Sequence, residues 1–564
     1  MKNNWRPISF DVDNSLRDKY PEILLRILAN RGISNELEIE KFLNPDYSRG
    51  LYDHLLLKNI KKSVKRFLAG LDNKEKILIF ADYDADGVPG AAIISSFLDK
   101  IGYSNYEVYI PDRYSESYGL NEEQMANFLK QDFKLLITVD CGIKSNQAVS
   151  LARKNDLDVI ITDHHLAGEE LPPTEYIIDP WQKGDKYPFK ELAGAGVAFK
   201  FVQAVLAHRD FGLVEGWEKW LLDLVAIATI GDMVPLKDEN RILTYFGLTV
   251  LAKTKRPGLK AMFKSLRLNI NFLQAEDVSF SIAPRLNAAS RLSHGLLAYR
   301  LLTTSSVSEA GQISSQLEKL NKDRRGFVDE MLAFADNFFS TDELPDVLVI
   351  GHKDWNPGVL GLAASKLVEK YNRPVFIWAE NGAGEIKGSC RGTGEEDVVA
   401  LMEEAGGLNF FSDLGGHYSA GGFSLPVGKL KDLNKQLNDS VCQKDFYLPE
   451  ITYDEELNLE DISESFYKQV DRCAPFGQAN PRPVFLFRNL TIVDSRFFGS
   501  GQEHLEIVLK DKDKQIKAIK FFVGNKLSFK IGQKVNILAN LEKNFFRSSG
   551  ELRLRLLDIC PLLD

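Results

Sequence analysis

The sequence predicts a multi-domain α/β protein with a parallel sheet in its first large domain and a small antiparallel barrel at its carboxy-terminal end. The 564-residue chain is too long for one hydrophobic core. Its 44% hydrophobic and 26% charged residues are typical of a globular protein. Short β-rich segments also alternate with helical ones. We expect boundaries that give the segments 1–72, 73–305, 306–340, 341–445 and 455–564.

The first segment alternates helical patterns with turn signals, and we expect it to pack on the domain that follows. That domain, 73–305, contains the β-rich runs KILIFA, YEVYI, KLLITV, LDVIIT and EYIID, each followed by a helical stretch. Strands alternating with helices form right-handed crossovers and a parallel sheet. Ligands of such sheets bind beyond the carboxyl ends of the strands.

The remaining segments have three different patterns. Residues 306–340 have apolar residues at helical spacing and predict a helix that links two lobes. The runs VLVIGH and PVFIWA, with a helix from Gly358 to Lys370 between them, predict a second α/β domain over 341–445. Short alternating runs such as HLEIVLKD and KVNILANL predict the barrel over 455–564.

Charge and composition restrict the function classes. A net charge of −9 argues against a protein that coats nucleic acid nonspecifically, although the runs Lys253 to Arg267 and Lys510 to Lys534 are basic. The amino terminus lacks a signal-peptide core and the longest apolar run is too short to span a membrane, so we expect a cytoplasmic protein. Five scattered cysteines predict neither a disulfide framework nor a zinc site.

Acidic side chains follow four apolar runs of the first large domain, in ILIFADYDADG, LLITVDCGI, VIITDHH and VAIATIGDMVPL. The candidate residues are Asp82, Asp84, Asp86, Asp140, Asp163, His164, His165 and Asp232. We expect all four termini to converge on one edge of one sheet. Each acidic residue alone could be a helix cap or turn former, and each histidine a structural residue.

Together these residues predict a metal site. So many carboxylates at one edge repel one another unless cations neutralise them. Oxygen-rich ligation with one histidine and no thiolate favours Mn²⁺ or Mg²⁺. The set is large enough for two ions that share a bridging aspartate, an arrangement suited to phosphoester hydrolysis.

These four motifs resemble those of the DHH phosphoesterase superfamily, and specifically the RecJ-type exonucleases. Further matching segments are PDRYSESYGL, ELAGAGVAFK, SIAPRLNAASRL, LEKLNKDRR, GVLGLAASKL, GGHYSAGGF and APFGQANPRPVF. The resemblance implies a single-stranded-DNA-specific 5′→3′ exonuclease that releases 5′-mononucleotides by two-metal hydrolysis in DNA repair and recombination. It also implies that the barrel is an OB-fold and that the second lobe is the DHH-associated domain.

The resemblance assigns roles to individual residues. The implied metal ligands are Asp84, Asp86, Asp140, His164 and Asp232, with Asp82 in or beside that shell. His165 would face the scissile phosphate, where an imidazole donates to a non-bridging oxygen. Asp163 would orient its neighbours.

A pocket for the terminal 5′-phosphate is implied for Arg113, Arg285, Ser389 and Arg391, since guanidinium groups and hydroxyls donate to phosphate oxygens. His417 would clamp the DNA backbone. For the arginines the alternative is a surface salt bridge, and for His417 it is an ordinary glycine-rich turn.

The expected partner is single-stranded DNA, with a single-strand-binding protein and a helicase as further partners of a monomer. The OB-fold would hold the strand by stacking. Its candidates, which could equally be core residues, are Phe497, Phe498, Phe521, Phe522, Phe545 and Phe546.

Five residues depart from the family pattern: Pro89, Gly90, Cys141, Ser290 and Asn356. Two other functions remain open. One is a phosphodiesterase of short oligonucleotides or cyclic dinucleotides, which would need only the two central lobes. The other is a non-catalytic single-strand-binding scaffold, which would be expected to have lost metal ligands.

Overall fold

The computed structural model describes residues 5–8, 14–113, 116, 119–339, 344–380, 384–440, 450–499, 502–521, 523, 529–544 and 550–562. Among these residues, none of the helices is long and apolar enough to cross a membrane. The predicted architecture is confirmed: a parallel-sheet domain, a linking helix, a second α/β domain and a carboxy-terminal barrel.

The amino-terminal segment is divided between two hydrophobic cores. Its elements are β1 (Trp5–Pro7), α1 (Glu22–Ala29), α2 (Glu36–Leu43), α3 (Tyr47–Gly50) and α4 (Ile60–Asp72). The apolar residues of α4 pack against the parallel sheet, whereas those of α1 and α2 pack into the core of the barrel. The expectation that the whole segment packs on the domain that follows was therefore incomplete, because two of its helices belong to the core of a domain about four hundred residues away.

The first large domain is built on five parallel strands. They are β2 (Lys76–Ala81), β3 (Tyr106–Tyr109), β4 (Phe133–Val139), β5 (Asp158–Thr162) and β6 (Tyr176–Ile178). Their order across the sheet is β3-β2-β4-β5-β6. The strands are almost entirely apolar because helices cover both faces. The carboxyl ends of β2, β4 and β5 therefore lie side by side at one edge.

Helices complete this domain and connect it to the next. They are α5 (Gly87–Lys100), α6 (Glu122–Phe128), α7 (Asn146–Lys154), α8 (Gly194–His208), α9 (Leu222–Gly231), α10 (Asp238–Ala252), α11 (Pro257–Leu266), α12 (Ala275–Asp277), α13 (Ala283–Leu292), α14 (Leu296–Thr303) and α15 (Val307–Phe338). A π-helical turn, Val278–Ile282, precedes α13. The linking helix α15 has 32 residues and is capped by Ser306, whose side chain accepts from the Glu309 amide.

The second lobe contains a mixed sheet of order β10-β11-β9-β8-β7. Its elements are β7 (Leu348–Gly351), α16 (Leu360–Tyr371), β8 (Val375–Glu380), β9 (Glu385–Arg391), α17 (Val398–Glu404), α18 (Gly407–Phe410), β10 (Asp413–His417), β11 (Ala420–Pro426) and α19 (Leu430–Asp439). The glycine-rich segment forms the β10–β11 hairpin.

The carboxy-terminal domain is a closed five-stranded barrel. The elements of this region are β12 (Ile451–Tyr453), β13 (Glu455–Glu456), α20 (Glu464–Asp471), β14 (Phe485–Phe498), β15 (His504–Asp511), β16 (Lys514–Lys520), β17 (Lys534–Asn544) and β18 (Glu551–Pro561). Strand β14 pairs with β15 on one side and with β17 on the other, which closes the barrel. All barrel pairings are antiparallel except β16 with β18.

Candidate metal centre and arginine group

Six of the predicted residues form a rim at the carboxyl edge of the parallel sheet. We call this set the carboxylate rim: Asp82, Asp84, Asp86, Asp140, His164 and Asp232. Its possible ligand atoms fall into two groups, each with all atoms within 4.8 Å of one another. One group is Asp86, His164 and Asp232, and the other is Asp82, Asp84 and Asp140.

Asp140 lies between the two groups. Its Oδ1 atom is 3.1 Å from Nε2 of His164, which itself lies 3.7 Å from Oδ2 of both Asp86 and Asp232. Asp140 also forms a third group with the two histidines. This is the position expected of an aspartate that bridges two ions.

The sequence analysis treated Asp232 as the end of a sheet element, and this was wrong. Asp232 follows helix α9 and caps its last turn, because the backbone amide of Asp232 donates to the Ala228 carbonyl. Apart from Asp223 and Thr229 the helix is apolar, and it is buried on all sides, so it gives no amphipathic signal. Asp232 nevertheless reaches the rim, with its side chain 27% exposed.

The backbone fixes the orientation of the rim carboxylates. The first two amides of α8, at Gly194 and Ala195, donate to the two oxygens of Asp86 at 2.6 and 2.7 Å. Oδ1 of Asp84 accepts from the amides of Asp86 and Gly87 at 2.8 and 3.1 Å. These bonds hold the carboxylates before any ion arrives.

Close backbone approach requires two glycines at the rim, and one aspartate there has a strained backbone conformation. A Cβ atom at Gly87 would lie 2.4 Å from the Asp82 carbonyl oxygen, and one at Gly194 would lie 2.6 Å from the Asp140 side chain. Asp140 has a φ of 61°, a left-handed conformation that aspartate tolerates better than most residues. Such strain is concentrated at functional sites.

Burial and mutual repulsion change the pKa values of the rim. Burial first, and neighbouring carboxylates second, raise the pKa of Asp82 and Asp140 well above the usual range. The same two causes raise the pKa of Asp86 to about 7 and that of Asp232 to about 9. Burial and the neighbouring His165 lower the pKa of His164 to about 4, which keeps its imidazole neutral. A cation would relieve this repulsion.

The donor set fits hard divalent ions. Among the described residues, the buried Oδ1 of Asp82 has no hydrogen-bond partner. Oδ1 of Asp140 is buried too, and its approach to His164 lacks hydrogen-bond geometry. Carboxylate oxygens with one neutral imidazole and no thiolate are the donors that Mn²⁺, and less often Mg²⁺, takes in proteins.

His165 and Asp163 form a pair beside the rim. Oδ1 of Asp163 lies 2.8 Å from Nδ1 of His165 and also accepts from the amides of His164 and His165. Its Oδ2 accepts from the Ile143 amide at 2.9 Å. Burial alone would lower the pKa of His165, but this hydrogen bond and the surrounding carboxylates raise it to about 9. Asp163 thus positions both histidines.

The predicted phosphate-binding residues lie on both lobes. The Arg113 guanidinium lies 4.9 Å from the ring centre of Tyr83, which is a residue of the first acidic motif. In the second lobe, Arg391 donates to Ser389 Oγ at 3.1 Å. Both lie against the first turn of α16, where a Cβ at Gly361 would be 2.8 Å from Arg391 Nη2. Arg285 is buried and donates to Glu318 and to the Ser281 carbonyl.

The sequence analysis missed two further arginines. Burial, then Arg113 and Arg324, lower the pKa of Arg291 to about 9. Burial, Arg325 and Arg285 lower the pKa of Arg324, and its buried Nε has no hydrogen-bond partner among the described residues. Arg291 also donates to the Gly358 carbonyl at 2.9 Å and so connects the lobes. We call the five the arginine group: Arg113, Arg285, Arg291, Arg324 and Arg391.

The structure does not bring every predicted binding residue to this site. His417 lies on the exposed β10–β11 hairpin, and no described contact joins it to the rim or the arginine group. Of the barrel aromatics, Phe497 packs partly against the core, whereas Phe498 and Phe521 form a ring cluster with His504. Phe522, Phe545 and Phe546 lie outside the described residues.

The departures from the family pattern have structural explanations. Pro89 lies in the first turn of α5, and Gly90 allows that helix to approach Val139 and Ala195. Cys141 is buried in an apolar cluster, and Ser290 donates to the Asn287 carbonyl. Asn356 accepts from the Gly358 amide at 2.9 Å and caps the turn before α16.

Comparisons with known proteins agree with this geometry. The family described as "DHH family, N-terminal domain" matches residues 76–229, "DHHA1 domain" matches 345–442, and "RecJ OB domain" matches 453–558. With the carboxylate rim, these matches define the class: a metal-dependent phosphoesterase of the DHH family.

Relatives narrow the class to one family. The single-stranded-DNA-specific exonuclease RecJ of Bacillus subtilis is 33% identical over 95% of this chain and 67% of its own length. That of Escherichia coli is 31% identical over 98% of each chain. The chain therefore belongs to the RecJ family of exonucleases, which confirms the resemblance noted in the sequence.

Two solved structures are similar as well. The crystal structure of RecJ from Thermus thermophilus in complex with Mn²⁺ matches with a TM-score of 0.83 at 25% identity. The match covers 100% of this chain and 80% of that one. A structure of exonuclease RecJ bound to manganese matches with a TM-score of 0.61 at 31% identity, covering 69% of this chain and 96% of that one.

Proposed function

We propose that this protein degrades single-stranded DNA from the 5′ end, releases 5′-mononucleotides and requires Mn²⁺ or Mg²⁺. One observation carries the proposal: two groups of ligand atoms share one rim, with Asp140 between them. The relatives named as single-stranded-DNA-specific exonucleases cover almost the whole chain, which supports the choice of substrate.

The rim would hold two ions, one at Asp86, His164 and Asp232 and the other at Asp82 and Asp84. Asp140 would contact both. When bound, such ions activate the attacking water and stabilise the charge on the leaving oxygen. The α8 amides keep Asp86 in place throughout.

His165 would contact the scissile phosphate. Because Asp163 holds its Nδ1, the opposite ring nitrogen is assigned to a non-bridging phosphate oxygen. Against the effect of burial, the hydrogen bond to Asp163 raises the pKa of His165 and so favours a ring N–H that donates to this oxygen as negative charge grows. Asp163 acts through His165 and His164 as a positioning residue.

The arginine group would bind the terminal 5′-phosphate and the phosphates next to it. Arg113, Arg285, Arg391 and the hydroxyl of Ser389 supply the predicted pocket. Arg291 and Arg324 add charge to it, and their pKa values, lowered by burial first and by neighbouring arginines second, fit a site that binds an anion. Because these residues come from both lobes, the passage between the lobes would admit one strand and exclude a duplex.

The two other functions fit the molecule less well. An enzyme for oligonucleotides or cyclic dinucleotides would need only the two lobes, but this chain also has a closed barrel whose core includes α1 and α2. A non-catalytic scaffold would have no reason to keep both groups of ligand atoms in place.

The cellular setting is part of the proposal. An enzyme that requires unpaired DNA acts beside a helicase that separates strands and a single-strand-binding protein that keeps them apart. We place the protein in the cytoplasm as a monomer, with domains divided near residues 72, 305, 340 and 445 and with His417 contacting the DNA backbone. Light scattering of the purified chain would test the monomer directly.

The experiment that tests this function uses end-labelled DNA with Mn²⁺. We expect 5′-mononucleotides from a 5′-phosphorylated single strand, slower release from a 5′-hydroxyl strand and none from a blunt duplex. Asp140→Ala should lower the rate at least about 1,000-fold, since it removes a carboxylate that would contact both ions. Degradation from the 3′ end, or undiminished activity of Asp140→Ala, would contradict the proposal.

A further inference from the structure

A segment of the carboxy-terminal domain packs against the loop that begins with Asp232. We call residues 473–481, which lie between α20 and β14, the bracing segment. We call residues 232–237, which lie between α9 and α10, the Asp232 loop. The bracing segment contains the sequence APFGQANP, one of the segments that match the family pattern. None of its residues belongs to the carboxylate rim or to the arginine group, so its role is still to be explained.

The Asp232 carboxylate is held less directly than its neighbours in the rim. Asp84 and Asp86 accept hydrogen bonds from backbone amides, whereas the hydrogen bonds within the described part of the chain include none to the Asp232 carboxylate. Its Oδ2 atom lies 3.7 Å from Nε2 of His164, which is too far for a hydrogen bond. The next residue, Met233, is 70% exposed and provides no anchor. The path of the loop backbone therefore determines where this carboxylate lies.

The far end of the Asp232 loop is fixed by the bracing segment. The Leu236 amide donates to the Gln478 carbonyl at 2.8 Å, and the Leu236 side chain is buried. A Cβ atom at Gly477 would lie 2.6 Å from Cδ1 of Leu236, so the two chains pack too closely for a side chain at that position. Only three residues separate Leu236 from Asp232, and a shift of one displaces the other.

A second contact joins helix α10, which follows the loop, to the same segment. The buried Arg241 guanidinium donates to the carbonyls of Cys473 and Ala474 at 2.9 and 2.7 Å, and to that of Phe42 at 3.0 Å. Hydrogen bonds from a charged donor are about twice as strong as neutral ones. Among the described residues Arg241 forms no salt bridge, so its donors serve to fix these backbones relative to α10.

The bracing segment is itself fixed to the carboxy-terminal domain. The backbones of Gly477 and Asn480 exchange two hydrogen bonds, which close a tight turn. The buried Asn480 amide donates to the carbonyls of Cys473 and Pro475 at 2.9 and 2.8 Å, and its Oδ1 accepts from Arg31 at 2.6 Å. Arg31 follows α1, whose apolar residues lie in the barrel core. The segment is therefore a rigid connection between the barrel and the Asp232 loop.

We propose that the bracing segment positions Asp232, so that the carboxy-terminal domain completes one of the two groups of ligand atoms. Leu236, Arg241 and Gly477 are positioning residues for the group that contains Asp232, and not for the group that contains Asp82. This inference rests on the proposed function, because that function assigns an ion to each group. Hydrolysis at the rim thereby depends on the correct docking of a domain that contributes no ligand to it.

Gly477→Ala tests the brace through the binding of Mn²⁺ alone. The added Cβ atom displaces Leu236 and should lower the affinity for one Mn²⁺ about 10- to 100-fold, the loss typical of a residue that orients a metal ligand. The second Mn²⁺ should bind as it does in the wild type. Calorimetric titration measures both affinities, and electron paramagnetic resonance distinguishes a coupled pair of ions from a single one.

A change in the barrel core separates positioning from general loss of stability. Ile507→Val removes one methyl group from the barrel core on β15 and adds no atom against the Asp232 loop. It should lower the Tm of the protein while both Mn²⁺ affinities stay at their wild-type values. In Gly477→Ala the KM for DNA should also be unchanged, and kcat should recover as the Mn²⁺ concentration is raised.

Two further variants keep the test decisive. Leu236→Ala in the Gly477→Ala background removes the two side-chain atoms nearest to the new Cβ and should restore most of the lost affinity, since the bond from Leu236 to Gln478 is made by the backbone. If Gly477→Ala fails to fold, Arg241→Lys keeps the charge but loses the fork of donors. It should weaken the same Mn²⁺ ion.

The outcomes separate the brace from the function on which it rests. A wild-type protein that binds fewer than two Mn²⁺ ions would contradict the two-metal function itself. If the wild type binds two ions, and Gly477→Ala and Arg241→Lys bind both with wild-type affinity, the brace alone is overturned. An equal loss of both ions, or the same loss in Ile507→Val, would reflect general destabilisation and would also overturn it.

Discussion

The carboxylate rim and the arginine group would bind the same strand, but they are built in different ways. Backbone amides fix Asp84 and Asp86 in the rim, and two glycines allow a packing too close for any side chain. In the arginine group, Arg285 donates to Glu318 and Arg291 donates to the Gly358 carbonyl, so long side chains, and not backbone amides, set the positions of the charges.

The difference follows from what each region does. Hydrolysis needs ligand atoms held in place to within a fraction of an ångström, so the sequence constrains both side chains and backbone there. Binding a phosphate requires donors and positive charge nearby, and a long side chain can follow small shifts of the ligand. Single changes at the rim should therefore remove most activity, whereas single changes in the arginine group should weaken binding in steps.

The largest effect short of removing a ligand is expected for His165. We predict that His165→Asn lowers kcat about 100- to 1,000-fold with little change in KM, because the imidazole would stabilise charge that grows during the reaction. Asp163→Asn should cause a smaller loss, since it acts through the histidines. Steady-state kinetics on a 5′-phosphorylated strand measure both. A rise in KM at constant kcat would place His165 in binding and not in chemistry.

A smaller change at the rim tests its close packing. Gly194→Ala adds a Cβ atom 2.6 Å from the Asp140 side chain and should lower Mn²⁺ affinity about 10-fold or more. Gly196→Ala, in the same turn of α8, is the matched control, because its nearest contact would be an ordinary 3.6 Å from Leu192. Calorimetric titration with Mn²⁺ compares the two. Equal Mn²⁺ affinities in the two variants would show that the rim tolerates displacement of the Asp140 side chain.

The arginine group should give an intermediate effect on end recognition. Arg291→Lys keeps the charge but loses the fork geometry that also connects to the Gly358 carbonyl. We expect the preference for a 5′-phosphate over a 5′-hydroxyl to fall about 10-fold. Arg300→Lys, which changes an exposed arginine paired with Glu309, should leave the preference unaltered. If Arg291→Lys leaves the preference for a 5′-phosphate unchanged, Arg291 does not belong to the phosphate pocket.

The smallest expected effect is the pH dependence of stability without metal. The raised pKa values of Asp86, Asp232 and His165, about 7, 9 and 9, mean that the folded protein holds protons that the unfolded chain has released. Stability without metal should therefore fall as pH rises from 6 to 9. Mn²⁺ holds the carboxylates deprotonated, so the gain in Tm that it causes should grow over the same range. A gain that shrinks with pH would contradict these assignments.

Much of this architecture was predictable from the sequence because it depends on local patterns. The five strands of the first sheet were predicted to within a residue or two, since buried parallel strands are short apolar runs between turns. The acidic residues at the ends of β2, β4 and β5 were expected together because parallel strands share one carboxyl edge.

Other features depend on distant parts of the chain and leave little local signal. The apolar run before Asp232 fits a buried helix as well as a strand. Arg291 and Arg324 look like ordinary helical arginines until the fold places them beside Arg113 and Arg285. The glycine-rich segment at His417 gave no indication that it forms a regular hairpin.

The most direct test of the account is the anomalous scattering of crystals soaked in MnCl₂. We predict two manganese peaks about 3.5 to 4 Å apart at the carboxylate rim, with Asp140 contacting both. Crystals of Asp140→Asn should lose at least one peak. A rim without manganese in the wild-type crystal would contradict the proposed metal centre, and with it the hydrolysis that we assign to this protein.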